Sequence, residues 1–142
     1  MAEPMLTVDH LSKDFSASNG LFSSRFGAKV SAVKDVSFTI ERGHTLGLVG
    51  ESGSGKSTTG RCIIRLLNPS AGTIRLDGVD VHTLRGRKLK SFRKEVQIVF
   101  QDPQASLNPR MTIGELVREP FVIHNIGNKT EQINQVKELL AI

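Results

Sequence analysis

Gly50, Glu51, Ser52, Gly53, Ser54, Gly55, Lys56 and Ser57 stand in the spacing G-x-x-x-x-G-K-[ST]. Glycines at these places allow backbone conformations closed to residues with a Cβ, so that consecutive N–H groups can turn inward around an anion. A helix beginning at the end of the run adds the positive end of its dipole. Lys56 then sets a point charge beside the β- and γ-phosphates of a nucleotide, the Ser57 hydroxyl can take a Mg²⁺ coordination position, and Thr58 donates a further hydrogen bond. The pattern requires a strand before it and a helix after it.

Both are expected. Thr45-Leu46-Gly47-Leu48-Val49 is a short apolar run bounded by glycine, the form of a fully buried parallel strand. Ser57 to Leu67 places Cys62, Ile63, Leu66 and Leu67 near helical spacing before Asn68-Pro69 ends it. Leu6 to Val8, followed by Leu11 and Phe15, reads as an edge strand leading into a turn. Ser16 to Lys29 reads as a Ser/Gly-rich loop. Val33, Val36, Phe38 and Ile40 alternate as a strand. Thr73 to Leu76 enters a tight turn at Asp77-Gly78, and Val96 to Phe100 is a second buried-strand candidate. Pro103, Pro109 and Pro120 punctuate loops and short helices. Thr130 to Ile142 carries Ile133, Val136, Leu139 and Leu140 on one helical face, with Thr130 as its N-cap.

The 142 residues suffice for one domain or a piece of one, and 38% hydrophobic with 23% charged content is ordinary globular composition. No apolar stretch reaches the length of a membrane span, and the N-terminus lacks a basic region followed by an apolar one, so neither export nor membrane spanning is expected. The net charge of +5 admits an anionic partner without choosing one. Cys62, the single cysteine, excludes an internal disulfide and reads as a small buried apolar residue. The run Arg85, Arg87, Lys88, Lys90, Arg93, Lys94 reads as a solvated helix face over Leu89 and Phe92. With neither Trp nor Tyr to stack on bases, no nucleic acid is expected as a partner. Asn128-Lys129-Thr130-Glu131 has the outline of a guanine-reading Asn-Lys-x-Asp, but Glu replaces Asp and no buried strand precedes it.

The stretch Gly47 to Thr58 resembles the phosphate-binding loop of ABC-type ATPases, and Gly72-Thr73-Ile74-Arg75-Leu76-Asp77-Gly78 resembles the hairpin that follows it in that family. Ile98-Val99-Phe100-Gln101-Asp102-Pro103-Gln104-Ala105-Ser106-Leu107-Asn108-Pro109-Arg110-Met111-Thr112 is similar to the Q-loop region of the oligopeptide/dipeptide import subfamily. The resemblance implies an α/β P-loop NTPase core of ABC type with an N-terminal antiparallel β portion, residues 1–100. Residues 101–142 would hold the Q-loop and the start of the helical subdomain. It implies ATP and Mg²⁺ as ligands, Gly50 to Thr58 as the nucleotide loop, and Lys56 and Gln101 as catalytic residues. Ser57 and Gln101 would face the metal, and Phe15 would stack on adenine, a contact that Phe22, Phe26 or Val30 could share.

The same resemblance implies a subunit that couples ATP hydrolysis to uptake of peptides or a related small solute. It would lie on the cytoplasmic face of the membrane, held by permease subunits through Gln101 to Pro120, and pair with a second ATPase subunit. A Leu-Ser-Gly-Gly-Gln signature, a Walker B strand ending in Asp-Glu, and a switch histidine are not found, and His10, His44, His82 and His124 read as structural or surface residues. The chain is therefore expected to be an N-terminal part, truncated within the helical subdomain and inactive or nearly so alone. Two other readings stand beside it: a non-catalytic nucleotide-binding remnant, and a non-transporter ABC ATPase, against which Ser106-Leu107-Asn108-Pro109 argues.

Overall fold

The computed structural model describes residues 4–16, 29–102 and 106–141. The loop read at Ser16 to Lys29, with Phe22 and Phe26, lies outside them for residues 17–28, as do Pro103, Gln104, Ala105 and Ile142. The chain forms two compact units, Met1–Arg93 and Lys94–Ile142.

In the first unit, β1 (Leu6–Ser16), β2 (Lys29–Ile40), β3 (Ala71–Leu76) and β4 (Val79–Asp80) form an antiparallel sheet in the order β2-β1-β3-β4. β1 is thus an inner strand, not the edge strand expected. The alternation of Leu6 and Val8 breaks before Leu11, which suggests a turn. The break is instead a β-bulge, with Asp9 and His10 between Val8 and Leu11 of β1 opposing Ser37 alone between Phe38 and Val36 of β2, and His10 at φ 49°. The extra residue returns Leu11 to the inner face, where it is fully buried. β3 approaches the bulge closely: a Cβ on Gly72, at φ 88°, would lie 2.4 Å from the His10 carbonyl oxygen.

His10 also clamps the bulge to β2. Its Nδ1 lies 2.7 Å from Asp35 Oδ1, its N–H donates to Ser37 Oγ, and the Asp35 N–H donates to Ser12 Oγ. The hydrogen bond to Asp35, then the charges of Asp35 and Asp9, hold the imidazole above the ordinary histidine value of 6.5. Since the folded value is the raised one, the pair stabilises the bulge fully below that ordinary value. Its contribution fades as pH rises through the raised value. In an NMR titration, Asp35→Asn is expected to bring His10 back toward 6.5; an unmoved His10 would show that Asp35 is not the cause.

Asp77 and Gly78, at φ 46° and 74°, make the two-residue turn between β3 and β4 that Asp-Gly favours. α1 (Lys56–Ile63) packs on β1 and β2, burying Thr59 and Cys62. The core joins Leu6, Val8, Leu11, Val33, Ile74, Val81 and Phe92 to this face. Burial raises the pKa of the Cys62 thiol, as its expected apolar role requires. α2 (Gly86–Glu95) buries Phe92, half-buries Leu89, and exposes Arg87, Lys88 and Lys90. Among the histidines, His10 and His44 are exposed. His82 is half-buried, and burial lowers its pKa.

Neither expected buried parallel strand forms a ladder in the described residues. Leu46, Leu48 and Val49 are exposed, Val49 almost wholly, and so are Ile98, Val99 and Phe100. A parallel strand gains its hydrogen bonds only from a neighbour reached by a crossover, and neither run has such a neighbour among the described strands.

In the second unit, α3 (Ile113–His124) starts at a capping box between Thr112 and Glu115, and α4 (Lys129–Leu140) at another between Asn128 and Glu131. The N-cap of α4 is therefore Asn128 rather than Thr130, and the four residues with a guanine-reading outline serve as a helix start: Asn128 Oδ1 accepts from the N–H groups of Thr130 and Glu131. Pro120 lies inside α3 instead of ending it. On α4 Val136 is buried, together with Gln132, while Ile133, Leu139 and Leu140 are exposed. No helix among the described residues is long and apolar enough to cross a membrane.

Candidate phosphate-binding site

The loop from Gly50 to Gly55 closes on itself. The Ser54 N–H donates to the Glu51 carbonyl at 3.2 Å, and Gly53 and Gly55 take φ of 82° and 90°. Gly55 is the residue before α1, and its left-handed backbone turns the chain straight into the helix. Only glycine fits there: a Cβ would stand 2.2 Å from the Ala32 carbonyl oxygen and 3.3 Å from Val33 Cγ2. The approach comes from the third irregularity of the β1–β2 ladder, where Lys13 to Asp14 of β1 spans Val33 to Ser31 of β2, leaving Ala32 as the extra residue against the loop. Nothing in the local pattern around Ala32 marks this support, so sequence reasoning missed it.

The start of α1 carries no acidic residue in its first turn and no side-chain cap. Unlike α3 and α4, which satisfy their first N–H groups with Thr112 and Asn128, it leaves these donors open to an external anion. Lys56 Nζ turns back over the loop, donating to the carbonyls of Gly50 at 2.7 Å and Glu51 at 2.6 Å and to Ser54 Oγ at 3.1 Å. The ammonium is thus held by oxygens of the ring that it would share with a phosphate. Ser57 is exposed and Thr58 half-buried on the same turn. Glu51, Ser52 and Ser54 keep exposed side chains and offer the loop their backbone.

Phe15 and Val30 are cross-strand partners in the same unit, 40% and 58% exposed. The Phe15 ring is therefore not packed in the core. Lys13 Nζ stands 5.1 Å from its centroid. Gln101 belongs to the second unit, where it is exposed just beyond the run 96–100. Of the Gln101 to Pro120 segment, residues 103–105 lie outside the described residues, and α3 supplies its last part.

Residues 33–142 match the family model described as ABC transporter. The chain is 49% identical over 140 residues to the oligopeptide transport ATP-binding protein AppF of Bacillus subtilis, covering 98% of this chain and 42% of that protein. It is 46% identical to OppF of the same organism, over 99% of this chain and 44% of that one. To the glutathione import ATP-binding protein GsiA of Pectobacterium atrosepticum it is 44% identical, over 99% and 22%. It thus spans less than half the length of these relatives. Among solved structures, the ATP-binding cassette MJ0796, a dimer in a post-hydrolysis state bound to ADP and Pi, superposes with a TM-score of 0.72 at 27% identity, over 96% of this chain and 56% of that one. A glycine loop running into an uncapped helix against an antiparallel sheet, a family match over most of the chain, and a cassette of the same fold agree: the chain belongs to the ABC transporter family.

Proposed function

We propose that this chain binds ATP with Mg²⁺ on the loop Gly50 to Thr58, as the nucleotide-binding part of an importer subunit for peptides or a related small solute. The uncapped start of α1 under a lysine already ringed by loop oxygens carries this reading. The backbone N–H groups of Glu51 to Gly55 and of the first turn of α1 would hold the phosphates. Lys56 would leave its internal oxygens for the β- and γ-phosphates, with Thr58 adding a hydrogen bond and Phe15 taking the adenine. Mg²⁺, when bound, would supply positive charge that offsets the charge of the phosphates. The exposed Ser57 hydroxyl is suited to hold it, and Gln101 would supply an amide that can accept from water or metal and donate on its other side.

The names of AppF and OppF, oligopeptide transport, and of GsiA, glutathione import, support uptake of peptides or a related small solute as the parent activity. On this reading, residues 101–142 form the Q-loop and the start of a helical subdomain. Gln101 to Pro120 docks on membrane-spanning subunits, which hold the protein at the cytoplasmic face, and a second ATPase subunit completes the nucleotide site. This sequence holds neither a Leu-Ser-Gly-Gly-Gln signature nor a Walker B Asp-Glu pair, so binding without turnover is expected of the 142 residues alone.

Titration calorimetry with ATP-Mg²⁺ tests the proposal. Lys56→Ala removes a charge-assisted contact of about 1.5–3 kcal/mol, so affinity is expected to fall roughly 10- to 150-fold. Folded wild-type chain that takes up no ATP-Mg²⁺ would refute it, as would a Lys56→Ala variant that binds as well as wild type.

A further inference from the structure

We propose that Lys13 is a positioning residue of the nucleotide site, holding the Phe15 ring as a one-sided platform for the base. The inference rests on the reading of Gly50 to Thr58 as an ATP loop and extends it to a residue outside every motif. The ladder pairs Phe15 with Val30 and Lys13 with Val33. Ala32 and Val33, two and three residues along β2 from Val30, are the residues that back onto Gly55. At about 3.3 Å per residue the ring stands some 7–10 Å along the sheet from the start of α1. That separation suits a ribose and its phosphates between a base at Phe15 and an anion at the helix.

A ring has two faces, and the Lys13 ammonium, 5.1 Å from the centroid, covers one. Phe15 as a residue is 40% exposed, so it is not enclosed by the sheet. A cation on one face restrains the ring and draws its π-density toward that side, which makes the other face a better partner for an electron-rich base. Lys13 itself is half-buried, so its stem is held. Lys56 already serves the phosphate end from within the loop. Lys13 is engaged with the ring.

The test titrates ATP and tripolyphosphate, each with Mg²⁺, into wild type, Lys13→Met and Lys13→Arg, and repeats Lys13→Met in a Phe15→Leu background. Lys13→Met is expected to weaken ATP about two- to fivefold, the worth of an exposed cation–π contact, and to leave tripolyphosphate unchanged. Lys13→Arg, which also stacks on aromatic faces, is expected to keep wild-type ATP affinity. In the Phe15→Leu background the loss is expected to vanish, a result that a merely structural role would not give. Equal losses for ATP and tripolyphosphate would make Lys13 a phosphate-attracting charge and overturn the proposal. Unchanged ATP affinity, or a loss that persists without Phe15, would overturn it too. Failure of wild type to bind tripolyphosphate would refute the loop reading itself, a separate outcome.

Discussion

Gly55→Ala is expected to abolish measurable ATP-Mg²⁺ binding and to lower the stability of the first unit by about 2–5 kcal/mol. Two costs combine. At φ 90° an alanine sits in a left-handed conformation that costs about 1–2 kcal/mol. Its Cβ would also stand 2.2 Å from the Ala32 carbonyl oxygen, and that obstacle is backbone, so it cannot be relieved by turning a side chain. Overpacking of this kind costs about 1–3 kcal/mol. To make room, either the loop moves off β2 or β2 loses its bulge, and in both cases the first N–H groups of α1 no longer converge on one phosphate. Gly53→Ala is the control: its φ is 82°, but an added Cβ meets nothing within 4 Å. Urea denaturation and calorimetry on both variants separate strain from collision. If the two lose the same stability and the same affinity, contact with Ala32 is not what restricts position 55.

The glycine-rich loop before α1 was legible because its pattern is local. Eight consecutive residues carry the donors, the charge and the glycine conformations, and α1 begins one residue from where the pattern puts it. The Asp77-Gly78 turn is legible for the same reason, since two adjacent residues fix its dihedrals. What supports the loop is not local. The bulges at His10 and Ala32 depend on register between strands, and a bulge erases the period of two by which a strand is recognised. Hence Leu6 to Val8 read as an edge although β1 runs on to Ser16 between two partners. The runs 45–49 and 96–100 fail differently. Their apolar composition reports what such strands need around them, and burial requires neighbours that the described strands do not supply. Phe15 was placed near adenine by resemblance alone. The structure shows its exposure and its pairing with Val30, and neither can be read from residue types.

Ile74→Ala is expected to destabilise the first unit by about 2–5 kcal/mol, the range for removing a large aliphatic side chain from a packed core. Ile74 is fully buried, pairs with Val8, and its carbonyl accepts from the Val81 N–H at 2.9 Å, so it ties β3 both to the inner strand and to the chain beyond β4. Its partners Val8 and Val81 are themselves almost wholly buried and have little freedom to close the void. The neighbouring strand position Val79 is 51% exposed, and Val79→Ala is expected to stay within about 0.5 kcal/mol. The effect should reach the nucleotide site through folding alone. Ile74 holds β1, β1 holds β2, and β2 bears the Ala32 bulge that backs the loop. A ligand that binds only the folded state stabilises it by RT ln(1 + [L]/Kd), so saturating ATP-Mg²⁺ is expected to raise the melting temperatures of Ile74→Ala and of wild type alike. Gly55→Ala should show no such rise, because there the loop itself is lost. If Ile74→Ala also fails to respond to ATP-Mg²⁺ while still folded, then the sheet shapes the phosphate loop directly, and packing at β3 sets affinity as well as stability.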